Sequence, residues 1–252
     1  MKVAIAIVSY RADLHWLSYC LRFLRKNWKE PGTEFYVRLE HDCRGVPETW
    51  AVPGVHYIYV DPWPDGYARQ MYLKLTWDLD LPAETDLVVM VDSDLMLMRP
   101  CFLDDLLTDG KPVIDWLPWI ESWDAERAWR ACTTMAMGLD LDRDYMVSAP
   151  FPLWVSTVRA TRAHIEKVKG CALEKWMYSD VIFKTENFLK HPMKLADYEA
   201  MNLYAATFEP ERYVLRNCHA RQPFPWPWRL YWSRGDWTAE LQAEFERRLA
   251  PP

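Results

Sequence analysis

Glycine is scarce in this 252-residue sequence, with 8 in all, which excludes collagen-like repeats and Gly-rich linkers; no biased runs point to low-complexity disorder. Six Cys, at positions 20, 43, 101, 132, 171 and 218, show neither a CxxC pair nor dense spacing. They indicate no zinc site or disulfide scaffold and read as reduced, mostly buried thiols. No apolar run approaches the ~20 residues that a bilayer requires. The opening Val3-Ala4-Ile5-Ala6-Ile7-Val8 is short and runs into Ser9-Tyr10-Arg11 without a cleavage signature, so it reads as a buried strand rather than a signal peptide. A soluble, cytoplasmic protein without a membrane span is expected. Excess charge of one sign is missing too: 30 Lys+Arg against 36 Asp+Glu leave a formal charge of −6. Such a molecule has no overall field to gather polyanions, so nucleic-acid contact needs a local patch.

What is present is a well-stocked core, with 50% hydrophobic and 15% aromatic residues. At this length residues 1–252 are expected to form a single α/β domain. The 15 Trp and 18 Pro are a skewed count. Trp offers flat apolar faces suited to sugars and bases, although packing is the commoner use of any one of them.

After the first strand, Leu14, Leu17, Leu21 and Leu24 recur at helical spacing and predict a helix over 13–28, ended by Pro31-Gly32. Residues 35–39 and 55–60 read as strands, the second closed by Asp61-Pro62-Trp63-Pro64-Asp65-Gly66. A helix over 67–79 follows, and then Leu87-Val88-Val89-Met90-Val91, the best candidate for a strand covered on both faces. This order predicts a mostly parallel sheet flanked by helices, with ligands beyond the carboxyl ends of its strands. Between Trp116 and Trp154 no period is sustained, which suggests an irregular, aromatic-rich, substrate-facing insertion; Asp140 to Asp144 reads as a solvated turn. Helices are expected over 156–169, 178–190, 197–206 and 238–249.

The sharpest local feature is Asp92-Ser93-Asp94 at the end of the apolar strand. Residues two apart in an extended chain project to one side, so both carboxylates are expected to face one point. Paired carboxylates repel unless a cation or proton intervenes, and hard oxygen ligands suit Mg²⁺ or Mn²⁺ bound to a diphosphate. The plain alternative is an Asp capping the next turn.

Apolar strand, Asp-x-Asp, then Leu95-Met96-Leu97-Met98-Arg99-Pro100 resembles the nucleotide-sugar glycosyltransferases of the GT-A fold. Ile7-Val8-Ser9-Tyr10-Arg11 looks like the first strand and nucleotide-contacting loop of that fold. Gly66-Tyr67-Ala68-Arg69-Gln70-Met71-Tyr72-Leu73-Lys74-Leu75 is similar to a Gly-Tyr/Trp…Gln…Lys-Leu segment of a poorly characterised group of bacterial and phage glycosyltransferase-like proteins. The resemblance covers the first ~100 residues. It implies a Rossmann-like GT-A domain with residues 1–100 as the nucleotide-sugar half and 101–252 as the acceptor half. Ser9, Tyr10, Arg11 and Ser93 fall on the nucleotide side by that resemblance, and Asp92 and Asp94 on the metal. Gln70 and Lys74, four apart on one helical face, are expected near the donor sugar and diphosphate; a surface Lys and Gln beside packed Leu73 and Leu75 is the alternative.

The segment from Arg212 to Arg234 holds five Arg, no Asp or Glu, and Tyr213, Phe224, Trp226, Trp228, Tyr231 and Trp232. Its Pro223-Phe224-Pro225-Trp226-Pro227-Trp228 core excludes regular helix, leaving an ordered loop that grips a diphosphate or acceptor, or a packed brace. Trp154, Trp226 and Trp228 are possible stacking surfaces. His219, at the entrance to this loop, resembles by position the late His that many GT-A enzymes supply as a third metal ligand. An inverting transferase also needs a carboxylate to deprotonate the acceptor. Asp180, Asp197 and Glu199 are the candidates. Asp197 and Glu199 belong to an acidic-aromatic segment, followed by Leu203-Tyr204, similar to one in the related group; any of the three acids is also a plausible helix cap.

The resemblance thus implies transfer of a sugar from a nucleoside diphosphate donor, UDP-sugars first, with Mn²⁺ or Mg²⁺; a monomer or weak homodimer is expected. The acceptor hydroxyl belongs to a glycan, a small molecule or modified DNA; in the last case the chain is a phage-type enzyme acting on hydroxymethylated bases. Two rivals change the chemistry. Haloacid dehalogenase-type phosphotransferases also carry Asp-x-Asp, but on the first strand with small residues following. The other rival is a carbohydrate-binding protein without turnover.

Overall fold

The computed structural model describes residues 1–50, 52–118, 124–147, 149–178, 195–218, 227–231 and 237–250, with backbone alone over 124–128. Asp180, His219, Trp226 and most of the helix expected over 178–190 lie outside the described residues.

A central five-stranded sheet runs in the order β3-β2-β1-β4-β9, formed by Val55–Val60, Glu34–Glu40, Val3–Val8, Leu87–Asp92 and Phe151–Trp154. The first four strands are parallel; β9 runs antiparallel to β4. The expected mostly parallel α/β sheet is therefore present. Its core follows the two-residue period of a strand covered on both faces. Ala4, Ala6, Val8, Val88 and Met90 point into one apolar cluster, and Val3, Ile5, Ile7, Leu87, Val89 and Val91 into the other.

Helix α1 (Leu14–Asn27) covers the second face, burying Trp16, Leu17, Cys20, Leu21 and Leu24. The C-terminal helix α7 (Ala239–Leu249) packs beside it through Phe245, and Glu246 takes a bidentate ion pair from Arg22 at 2.7 and 2.8 Å. On the first face lie α2 (Gly66–Leu75), α3 (Asp124–Met137), α4 (Val155–Lys169) and α6 (Asp197–Phe208), after a short α5 (Leu173–Trp176). Helix α4 ends at Gly170, whose φ of 67° is the left-handed cap that glycine adopts without strain. The parallel β2 and β3 are joined through residues 41–54 by two 3-10 turns and no α-helix among the described residues.

The stretch from Trp116 to Trp154 corrects one expectation. It contains α3 and β9, so part of it belongs to the layers of the fold rather than to an insertion. Pro152 sits in β9, a sheet-edge strand where a missing backbone N–H is tolerated, and such residues blurred the period. Beside the main sheet, β7 (Lys111–Pro118) pairs with β6 (Leu107–Thr108), β8 (Arg143–Asp144) and β10 (Val214–Asn217), and β5 (Leu95–Leu97) pairs antiparallel with β11 (Trp228–Leu230).

Candidate functional site

Strand order reverses direction between β1 and β4: β2 and β3 lie to one side of β1, and β4 and β9 to the other. In an open α/β sheet this switch point leaves a crevice beyond the carboxyl ends of the two strands. Val8 pairs in register with Asp92 there. The crevice is thus flanked by Ser9-Tyr10-Arg11 after β1 and by Asp92-Ser93-Asp94 after β4.

The strand ends at Asp92, and Ser93-Asp94 form a turn into β5. Strand alternation therefore does not bring the two acids together, as the two-residue spacing suggested; the turn does that work. Both carboxylates act electrostatically on the Tyr198 phenol and on the Cys20 thiol, so they share one neighbourhood. Ser93 between them is buried, 5% exposed. Ser9 is 1% exposed and its hydroxyl is an orphan, while its backbone N–H donates to Arg38 O at 3.0 Å. Tyr10 is half-buried; exposed Arg11 reaches sideways to Asp42, at 3.2 Å to its carbonyl and 3.3 Å to its carboxylate.

Helix α2 is held from both ends. Asp65 caps its start by accepting from Ala68 N at 2.9 Å, Arg69 pairs with Glu40 on β2, and buried Arg38 donates to Leu73 O and to Thr76 at the other end. So fixed, α2 delivers Lys74 to the crevice. Lys74 is 4% exposed; its Nζ lies 2.7 Å from Asp92 Oδ1 and 3.3 Å from Asp197 Oδ2, and 4.2 Å above the Tyr198 ring. The contact to Asp197 is an ion pair that lacks hydrogen-bond alignment. The expectation that this ammonium meets a diphosphate is thus corrected: two carboxylates and a ring engage it inside the protein. Half-buried Gln70, one turn earlier, has no side-chain hydrogen-bond partner among the described residues.

Helix α6 supplies the rest. The Tyr67 hydroxyl donates to Leu195 O at 2.8 Å, drawing the start of α6 to α2. Asp197 and Glu199, two apart on a helix, point about 200° from each other. Asp197 faces Lys74. Glu199 faces the turn after β8, accepting from Tyr145 N at 3.0 Å and meeting the Asp144 carboxylate. Glu199 is therefore corrected from candidate base to an internal tie, and Asp197, 2% exposed, to a partner of Lys74. Tyr198 donates to Asp92 Oδ1 at 3.0 Å and stacks on Phe151 at 3.7 Å between centroids. Sequence reasoning missed Tyr198, although it stood between the two acids singled out.

The charges follow from burial. Burial pulls the Lys74 ammonium down, but Asp197 and Asp92 outweigh it and hold it above the ordinary lysine value. Burial raises Asp197 against the pull of Lys74, and the like charge of Asp92 adds to the rise. Burial likewise raises the phenol of Tyr198 well up, helped by Asp92 and Asp197. One ammonium thus serves two carboxylates, with Asp94 alongside. Asp92 and Asp94 carry the hard oxygen donors that a divalent cation takes, while Asp197 is engaged with Lys74. Glu40, Asp42 and Cys43 also cluster, but Glu40 is paired with Arg69 and Asp42 with Arg11.

The aromatic candidates lie elsewhere. Trp154 pairs with Leu87, at the amino end of β4, beside a shallow cleft of about 650 Å³ on the side of the sheet opposite the crevice. Trp228, 7% exposed, sits in β11 against Trp28 and packs the core, so it is a brace and not a stacking surface. Of the tail arginines, Arg212 pairs with Glu209 at 2.8 Å, and Arg216 grips buried Asp115 with two nitrogens. Arg229 lies over the Tyr231 ring. No described helix is long and apolar enough to cross a membrane. Compared with family models and with curated proteins, the chain matches none.

Proposed function

We propose that the chain is a metal-dependent glycosyltransferase of GT-A type that moves a sugar from a nucleoside diphosphate to an acceptor hydroxyl. One observation carries the reading: Asp92 and Asp94 stand at the switch point of a mostly parallel sheet, and Asp92 Oδ2 has no partner among the described residues. Haloacid dehalogenase-type chemistry fits less well, because the Asp pair follows the fourth strand in chain order.

Asp92 and Asp94 would hold Mn²⁺ or Mg²⁺, which when bound supplies charge neutralisation for a leaving nucleoside diphosphate. The chain's residues do the rest. Ser9 and Tyr10 border the nucleotide side of the crevice, and Gln70 offers the donor an unspent amide. In the transfer the acceptor oxygen bonds to the anomeric carbon, the bond from that carbon to the diphosphate oxygen breaks, and the acceptor proton passes to a base. Asp197 and Glu199 are buried and engaged, which leaves Asp180 as the base candidate. The acceptor is a sugar or small-molecule hydroxyl: Arg212 and Arg216, which a DNA groove would use, are paired with Glu209 and Asp115.

The test is a panel of nucleoside diphosphate sugars assayed for thermal stabilisation with and without Mn²⁺. A donor at a hundred times its Kd stabilises the native state by about 2.7 kcal/mol, a rise in Tm of several degrees. Asp94→Ala should abolish the Mn²⁺-dependent part. Stabilisation that survives in Asp94→Ala, or that no donor produces, overturns the reading.

A further inference from the structure

Two donors converge on one atom. Lys74 Nζ at 2.7 Å and the Tyr198 hydroxyl at 3.0 Å both meet Asp92 Oδ1. A carboxylate oxygen has about two lone-pair sites, so Oδ1 is filled. Oδ2 has no partner among the described residues and is not one of the buried orphan atoms, and the Asp92 side chain is 30% exposed. The two halves of this carboxylate thus have different surroundings, Oδ1 held by two partners and Oδ2 without one among the described residues.

We propose that Lys74 and Tyr198 are positioning residues that lock the Asp92 carboxylate through Oδ1 so that Oδ2 is presented to a divalent cation. The proposal rests on the metal-dependent reading of the same site. The terminal torsion of an Asp side chain is broad and roughly two-fold, so a half-exposed carboxylate with no internal partner samples many orientations. Two donors on one oxygen remove that freedom before the cation arrives. Both donors are themselves anchored: Lys74 by Asp197 at 3.3 Å, and Tyr198 by its stack on Phe151. Asp197 is thereby the far anchor of the arrangement, which accounts for a carboxylate 2% exposed beside a buried ammonium. Partners behind a metal ligand commonly change metal affinity 10–100-fold when removed.

The test uses Mn²⁺ alone, titrated into the full chain and followed by the electron paramagnetic resonance signal of the free ion. Tyr198→Phe keeps the ring for Lys74 and Phe151 and removes one hydroxyl; its Kd for Mn²⁺ should rise about tenfold. Tyr213→Phe is the control. It removes a buried hydroxyl that contacts Trp154 N and Thr157, at the other end of the sheet, and should leave the Kd unchanged. Lys74→Met should weaken Mn²⁺ as well. Tighter binding in Lys74→Met identifies Lys74 as a competing cation and overturns its positioning role. If Tyr198→Phe, folded by circular dichroism, binds Mn²⁺ as wild type does, the proposal fails while the metal reading stands. If the wild-type chain binds no Mn²⁺, or Asp92→Asn and Asp94→Asn bind it equally well, the metal reading falls and the proposal with it.

Discussion

The crevice at the end of β4 and the Arg-rich segment after Arg212 both place cationic side chains against buried carboxylates, and they differ in what remains unspent. At the crevice, Lys74 is divided between Asp92 and Asp197, and one oxygen of Asp92 has no partner among the described residues. On β10, Arg216 engages both oxygens of Asp115, a closed bidentate pair that ties β10 to β7 across the matched register of residues 216 and 115. A closed pair is a fastener. An open one is a site, because it leaves hard oxygen donors whose charge is not fully met.

The strongest way to break the crevice side of this contrast is Lys74→Met, which keeps the side-chain volume and strands two carboxylates without their ammonium. Loss of one partner of a buried pair costs roughly 3–5 kcal/mol, read as a lower denaturant midpoint at unchanged slope. Arg216→Ala tests the fastener side. It should cost about 3 kcal/mol by the same reasoning, slightly less because the Arg216 side chain is 19% exposed, and should leave Mn²⁺ binding intact. Equal loss of Mn²⁺ binding in both variants would erase the distinction between the two regions.

Glu199→Gln sharpens the contrast within α6. Burial, then the Asp144 carboxylate, push the Glu199 carboxyl well above the ordinary glutamate range. The folded state thus holds a proton that the unfolded chain gives up near the usual glutamate value. Stability from this group is full below that value and falls as pH rises through the raised one. A glutamine amide can donate to Asp144 and accept from Tyr145 N without a proton, so Glu199→Gln should match wild type in acid and exceed it in mild alkali by thermal melts. It should also retain activity, which a catalytic base does not permit. The smallest effect is at α7. Arg22, then Tyr19, hold Glu246 down to about 2. The stability it adds is present above the usual glutamate range and is lost as pH falls toward about 2. This carboxylate is half exposed, so melts of Glu246→Gln should show a slightly flatter acid limb, worth under about 1 kcal/mol.

Much of the sheet was legible in the chain. The short continuous apolar runs in Val3–Val8 and Leu87–Val91 and the leucine spacing of α1 are local signals, and the elements they predicted are present. The strand end at Asp92 was legible as well. The roles of Lys74, Tyr198, Asp197 and Glu199 were not, because each depends on which face of a helix meets which neighbour across more than fifty residues of sequence. Trp228 misled for the same reason: an aromatic ring has the same composition whether it lies over a crevice or inside a core.

The order of residues by itself determined an α/β chain whose buried strands are short continuous apolar runs, whose helices carry one apolar face, and whose paired acids follow an apolar strand. Local pattern is enough for this, since burial acts on neighbours a few bonds apart. Only the tertiary structure decided that one lysine is shared by two acids, that a tyrosine completes the hold on Asp92, and that Arg212 and Arg216 of the tail are paired with Glu209 and Asp115. Ion pairing and desolvation depend on distances in space between side chains, and those are set by how helices α2 and α6 meet over the sheet.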